Sequence, residues 1–204
     1  KFALARFMPD GSLDASFGNG GRVATQVGSP PNLDEAFYAL ALQPDGKIVA
    51  AGRSYAGNGY LAAVLRYNAN GTLDNTFSSD GKQLDNLGAG NDDAYYGVAV
   101  QPDGSIVVGG VAKASAEYDA VVARYTAAGA LDATFSGDGY SILDIGMVDN
   151  RANALVLQPD GKIVIAGQTG NAAVDSDFLL ARFTTTGTLD TGFGTGGKVT
   201  TNTT

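Results

Sequence analysis

Gln43-Pro44-Asp45-Gly46, followed by Lys47-Ile48-Val49, decides the fold, because it returns as Gln101-Pro102-Asp103-Gly104 and as Gln158-Pro159-Asp160-Gly161. The copies begin 58 and 57 residues apart, a period that belongs to solenoids, propellers and arrays rather than to a single enzyme core. Pro fixes φ and Gly accepts φ > 0, so each copy is a tight turn. Strands flank it. Residues 38–42 precede the turn and residues 47–52 follow it, and both runs are apolar on both faces, as expected of strands sandwiched between neighbouring sheets.

Working outward, a second block recurs four times. Leu4-Ala5-Arg6-Phe7, Val64-Leu65-Arg66-Tyr67, Val122-Ala123-Arg124-Tyr125 and Leu180-Ala181-Arg182-Phe183 each lead into a Gly-x-Leu-Asp segment and a Phe-x-x-x-Gly segment. The Arg-aromatic block reads as a third strand, and the more polar run beyond the last glycine, residues 198–201 in the final copy, as a fourth that suits an outer edge. Four antiparallel strands in about sixty residues make a propeller-type blade. The expected fold is therefore all-β, a β-propeller-type tandem repeat of four-stranded antiparallel blades with about three and a half units. Its divisions are a half-unit at 1–25 and units at 36–86, 94–144 and 152–202, one continuous array over 1–204.

Composition narrows the chemistry. Twenty-nine glycines, no tryptophan, and aspartate at every acidic position except Glu35 and Glu117 suit short strands joined by turns. With no cysteine, disulfides and thiolate sites are excluded. With no histidine, the usual general base near neutral pH and the Ser-His-Asp triad are excluded too. A net charge of −8 disfavours nucleic acid and anionic lipid as partners, and no apolar run reaches membrane-spanning length. The chain begins inside a repeat, so an export signal would have been trimmed.

The Gln-Pro-Asp-Gly-Lys-Ile-Val, Leu-Ala-Arg-Phe and Gly-x-Leu-Asp-x-x-Phe blocks, in that order, resemble the delta-60 repeat family of large bacterial surface and secreted proteins. The resemblance implies an exported, propeller-like bacterial module, extracellular or at the cell surface, and supplies no catalytic residues. Ser105 departs from the pattern where the other units have Lys47 and Lys162.

Four sets of residues are candidates for chemistry. Arg6, Arg66, Arg124 and Arg182 share a strand face with aliphatic residues, so each guanidinium needs a carboxylate partner. That partner is Asp14, Asp74, Asp132 or Asp190, or else the turn Asp45, Asp103 or Asp160; the arrangement reads as a structural clamp per blade, with an arginine-ringed anion site as the other reading. Asp34, Asp92 and Asp149, nine residues before each repeated Gln, are acids in Gly-rich loops, the donor type that Ca²⁺ takes, although Asx-turns that start the first strand are the favoured reading. Tyr55, Tyr60, Tyr118, Asp175 and Asp177 lie in the segments that vary most between units and offer stacking faces and acceptors to a sugar or protein ligand. Carboxylate pairs such as Asp175 with Asp177 would also serve glycoside hydrolysis.

The function expected is a non-catalytic extracellular scaffold or interaction module that binds protein or glycan, needs no cofactor, and completes a ring or filament with copies of itself or with other repeats of a longer chain. The competing expectation is a lectin or carbohydrate-active enzyme. The half-unit leaves a sheet unpaired, which is what points to assembly.

Overall fold

The computed structural model describes residues 1–28, 34–113, 117–146, 149–171 and 175–202, and among these it contains strands and no helix. The half-unit forms an antiparallel pair, β1 (Phe2–Ala5) with β2 (Arg22–Thr25). Blade 1 is β3 (Glu35–Leu42), β4 (Ile48–Tyr55), β5 (Tyr60–Tyr67) and β6 (Lys82–Asp85). Blade 2 is β7 (Ala94–Val100), β8 (Ile106–Lys113), β9 (Tyr118–Tyr125) and β10 (Tyr140–Leu143). Blade 3 is β11 (Asp149–Leu157), β12 (Ile163–Asn171), β13 (Asp175–Phe183) and β14 (Lys198–Thr201). Strands within a blade pair antiparallel in chain order.

Successive blades pack face to face, and their first strands β3, β7 and β11 lie against one another. Each junction encloses its own apolar core. Phe2, Leu4 and Phe17 meet Ala50, Leu65 and Tyr67 between the half-unit and blade 1. Val64 and Phe77 meet Ile106, Val121 and Tyr125 in the next junction, and Val122 and Phe135 meet Ile163, Leu179 and Phe183 in the last. A β-strand alternates its side chains between two faces, so in the third strand one parity packs backward and the other, including the arginine, packs forward. Polar pins cross as well. The Tyr125 hydroxyl donates to Asp85 Oδ2 of the preceding blade at 2.7 Å, and the Tyr67 hydroxyl donates to Thr25 Oγ1 at 2.8 Å.

Every first strand carries a bulge at the same place, between Phe37 and Ala39, Tyr95 and Gly97, and Ala152 and Ala154. The second strand answers with Gly52, Gly110 or Gly167, where an added Cβ would land on the carbonyl oxygen of Ala36, Ala94 or Arg151. The bulge brings the backbones too close for any side chain.

One expectation about the first two strands needs correction. Covering on both faces fails at the N-terminal end, where Leu40 and Leu42 of β3 are 57% and 74% exposed. The half-unit beside them has only a third and a fourth strand, so nothing from a first or second strand lies over them.

Candidate functional site

The blades have two unlike ends. At one lie the Gln-Pro-Asp-Gly turns and the arginine blocks; at the other lie the hairpins between second and third strands and the connections from blade to blade.

At the turn end, three of the four arginines make one repeated set of contacts, of which Arg182 keeps only its aspartate, Asp190, at 2.8 Å among the described residues. Arg66 Nε donates to Asp74 Oδ2 at 2.7 Å, Nη2 to Thr76 Oγ1 at 3.0 Å, and Nη1 to the Ala127 carbonyl of the next blade at 2.7 Å. Arg6 repeats this with Asp14, Ser16 and the Ala69 carbonyl. Arg124 does so with Asp132, Thr134 and the Thr185 carbonyl. The guanidinium carbon also stands 4.7–4.9 Å from the centre of the following Phe ring in all four copies, an added cation–π attraction. Burial alone would raise the Asp74 pKa, but bonds from the Thr76 hydroxyl and amide, the charge of Arg66 and a contact from Lys47 outweigh it and hold it at about 2.

The guanidinium partner is thus the aspartate of the Gly-x-Leu-Asp segment, eight residues on, and not the turn aspartate. Asp45, Asp103 and Asp160 instead accept the backbone N–H two residues later, of Lys47, Ser105 and Lys162, which is an Asx-turn. Lys47 Nζ and Lys162 Nζ reach Asp74 and Asp190 at 3.3 and 3.0 Å. With its anion satisfied and a backbone carbonyl on Nη1, Arg66 is fully engaged as a clamp between blades.

A backbone bond runs beside each clamp. Gly18, Ser78 and Ser136 donate their N–H to the carbonyls of Asn70, Ala128 and Thr186 in the next blade, each at 2.8 Å. These donors take φ of 54°, 49° and 56°, so two serines accept a left-handed backbone to aim the amide across the junction. The turn glycines Gly71, Gly129 and Gly187 lie flat on Phe17, Phe77 and Phe135 of the preceding blade, leaving no room for a Cβ.

At the loop end the predicted ligand residues fall into separate groups. Tyr55 and Tyr60 meet edge to face with centroids 5.4 Å apart. The Tyr55 hydroxyl donates to the Gly57 carbonyl, and Arg53 stacks 3.9 Å over Tyr60 while its Nη2 donates to Asp34 at 2.9 Å. Tyr118 belongs to the next junction, where its hydroxyl donates to Asp92 and Arg151 lies 4.7 Å over its ring. The bond to Asp92, with burial and the charge of that carboxylate, pushes the Tyr118 phenol up to about 12. Asp177 lies on β13, at a cleft of about 540 Å³ on the forward face of blade 3, and its Oδ1 is buried with no hydrogen-bond partner among the described residues. The backbone of Asp175 opens β13 opposite Asn171; its side chain and residues 114–116 and 172–174 of the variable segments lie outside the described residues. Tyr55, Tyr60, Tyr118 and Asp177 do not converge on one pocket.

Nor do the three acids considered for Ca²⁺ come together. Asp34 pairs with Arg53, Asp92 accepts from Tyr118, and Asp149 pairs with Arg151 at 3.4 Å. Among the described residues no cluster of three potential metal ligands exists. The adjacent position instead straps each junction. Asp93 is fully buried and accepts from the amides of Leu87 and Lys113 at 2.6 and 2.8 Å, and burial raises its pKa despite those bonds. Glu35 accepts from the Val27 and Gly28 amides at 2.9 and 2.5 Å and meets the N-terminal amine at 3.4 Å. In blade 3 the same position is Asn150, whose Nδ2 donates to Asp119 of blade 2 at 3.1 Å.

Arg53, Lys113, Asp119 and Arg151 take part in these loop-end contacts and escaped the sequence reading: the three cations are not repeated from unit to unit, and Asp119 recurs only as Asp177. The recurrence of Tyr60 and Tyr118 at the start of β5 and β9 is the sequence signal at this place, and it does not name the cations.

Four-stranded antiparallel sheets stacked in series, with their first strands innermost and clamped by a repeated arginine, define a β-propeller repeat protein. The chain belongs to the DUF5122 beta-propeller family, described as a domain of unknown function, whose profile matches residues 1–17, 43–77, 101–135 and 158–193. Each match ends at the Phe under an arginine, and the three longer ones run from the Gln-Pro-Asp-Gly turn through the second and third strands. No curated protein matches the chain.

Proposed function

We propose that the chain is a non-catalytic scaffold of exported bacterial type, of the delta-60 kind, that propagates by docking the forward face of blade 3 onto the N-terminal half-blade of another copy. One comparison carries the reading: the same strand position is covered in the inner blades and bare in blade 3. Phe178 is 66% exposed where Ala62 and Ala120 are 0% exposed. Leu180 is 39% exposed and Phe193 is half-buried, against buried Val64 and Val122, and Phe77 and Phe135. A bare apolar face with a repeated complement elsewhere in the chain favours a heterologous, head-to-tail contact.

The polar groups support the same partner. Arg182 Nη1 and the Gly194 amide have no acceptor among the described residues, although their counterparts in every earlier unit bind carbonyls of the next turn. The half-blade turn offers the corresponding carbonyls of Pro9 and Asp10, and its backward-facing Phe7 is 61% exposed where Tyr67, Tyr125 and Phe183 are buried. Gly11 has open space where the later turn glycines meet a Phe ring.

Light scattering on two variants tests this. Phe178→Asp blocks one face and Phe7→Asp the other, so each alone is expected as a monomer and their mixture as a discrete heterodimer. Association of either variant by itself, or a mixture that stays monomeric at concentrations where the parent chain associates, overturns the reading.

A further inference from the structure

We propose that Tyr38 and Tyr96 form a site of oxidative cross-linking, at which a peroxide-driven one-electron oxidant joins the two rings by a carbon–carbon bond and staples blade 1 to blade 2 within one chain. The bond needs no second copy, so it stands apart from the head-to-tail docking.

The bulges of the first strands build the site. In β3 the ladder steps from Phe37 to Ala39, and in β7 from Tyr95 to Gly97, so Tyr38 and Tyr96 are the residues that each bulge leaves unpaired. A bulge bends its strand and re-aims the side chain it releases. Because β3 and β7 lie against one another, the two released rings meet across the junction of two complete blades, with centroids 5.0 Å and planes 49° apart. Directly bonded rings stand only slightly closer and are themselves twisted, since the hydrogens flanking the bond collide. Little movement separates the contact from the product.

The other paired tyrosines are worse placed. Tyr95 and Tyr125 are 6.3 Å apart, at 83° and fully buried, beyond the reach of an oxidant. Tyr55 and Tyr60 meet edge to face at 76°, and Arg53 covers the Tyr60 ring. Tyr38 is 43% exposed and Tyr96 half-buried, open enough for electrons and protons to leave. Composition also directs the oxidation here. The chain has no cysteine or tryptophan, the side chains that would reduce a tyrosyl radical, and without cysteine it has no disulfide to serve as a covalent staple.

The step balances with hydrogen peroxide, acting through a haem peroxidase, as the oxidant. Each phenol gives up one electron and one proton, and one peroxide, its O–O bond broken, takes them up as two waters. The two tyrosyl radicals couple through the ring carbons beside the hydroxyls. The hydrogen on each joined carbon then moves to its own oxygen, which restores both phenols. The chain has lost two hydrogens and holds a covalent loop from residue 38 to residue 96. Blade 3 carries the natural control: its bulge, between Ala152 and Ala154, releases Asn153, so the corresponding pair at the next junction is a phenol and an amide, which do not couple.

The test treats the dilute intact chain with a haem peroxidase and limiting hydrogen peroxide, and follows dityrosine fluorescence, intact mass, mapped cross-linked peptides and melting temperature. A monomer-sized product lighter by two hydrogens is expected, with residue 38 joined to residue 96 and a melting temperature higher by about 10 °C. Tyr38→Phe and Tyr96→Phe are each expected to abolish it. Tyr38→Phe/Asn153→Tyr is expected to regain a link, now between residues 96 and 153. Should a Phe variant fail to fold, the peptide map of the parent chain and that of Asn153→Tyr, in which the 96–153 link is expected beside the original, still decide. Links mapped chiefly between residues 55 and 60 or between separate chains, product undiminished in a folded Phe variant, no link at residue 153 in folded Asn153→Tyr chains, or a linked chain that melts no higher each overturns the proposal.

Discussion

Replacing Arg66 by Met removes the best-buried clamp while keeping most of its bulk. Arg66 is 4% exposed and its partner Asp74 3%, so the substitution leaves a desolvated carboxylate facing an apolar side chain. Breaking a buried pair from one side costs about 3–5 kcal/mol. Lys47 remains 3.3 Å from Asp74 and the Thr76 amide and hydroxyl still bind it, which places the loss at the lower end, about 3 kcal/mol. In a chain of this size that is a fall in melting temperature of about 6–12 °C. Arg182→Met is the internal control, because that guanidinium meets Asp190 at 2.8 Å without a carbonyl from a following blade; its expected cost is about 1 kcal/mol. The double variant Arg66→Met/Asp74→Leu is expected to recover most of the loss. The Asp74 pKa is held at about 2, below its ordinary 3.8, so the stability it contributes is present above pH 3.8 and is lost as pH falls through 2. The Arg66→Met penalty accordingly shrinks on acidification. Equal penalties at Arg66 and Arg182, or a melting temperature unchanged by Arg66→Met at neutral pH, refutes the clamp argument.

Two further substitutions probe the scaffold. Gly110→Ala forces a Cβ onto the Ala94 carbonyl across the bulge and is expected to cost about 2–3 kcal/mol in urea denaturation, since backbone there cannot give way cheaply. Asp93→Asn turns an amide donor toward the Leu87 or Lys113 N–H and is expected to cost about 1–3 kcal/mol. Adding Leu61→Asp recreates the Asp119–Asn150 pair of the next junction and is expected to restore most of that in the same assay.

The turns and the blades were legible because they repeat, and repetition converts spacing into register; so was the need of Arg66 for a carboxylate, but two repeated aspartate series fitted it and only the structure selects Asp74. The second half of the clamp was not, because the acceptor at Ala127 is a backbone carbonyl and any residue there would serve. The loop end was the least legible. Tyr60 and Tyr118 share a position in their units, yet each belongs to a different junction and is capped by a cation, Arg53 or Arg151, that occurs once. Likeness of position between units therefore meant distance in space. The Asp34, Asp92 and Asp149 series dispersed for the same reason. The exposed Leu40 could be foreseen only by asking which strands the half-unit lacks.

The left-handed amides and the arginines have one consequence for how such arrays change over generations. Both read backbone carbonyls, at Asn70, Ala128 and Thr186 and at Ala69, Ala127 and Thr185. They recognise the shape of a neighbouring turn and not its side chains. The clamp end therefore places no demand on most side chains of the neighbouring turn beyond its glycine, while the side-chain pins Tyr125–Asp85 and Asn150–Asp119 tie particular neighbours together when units are duplicated, deleted or exchanged in the gene.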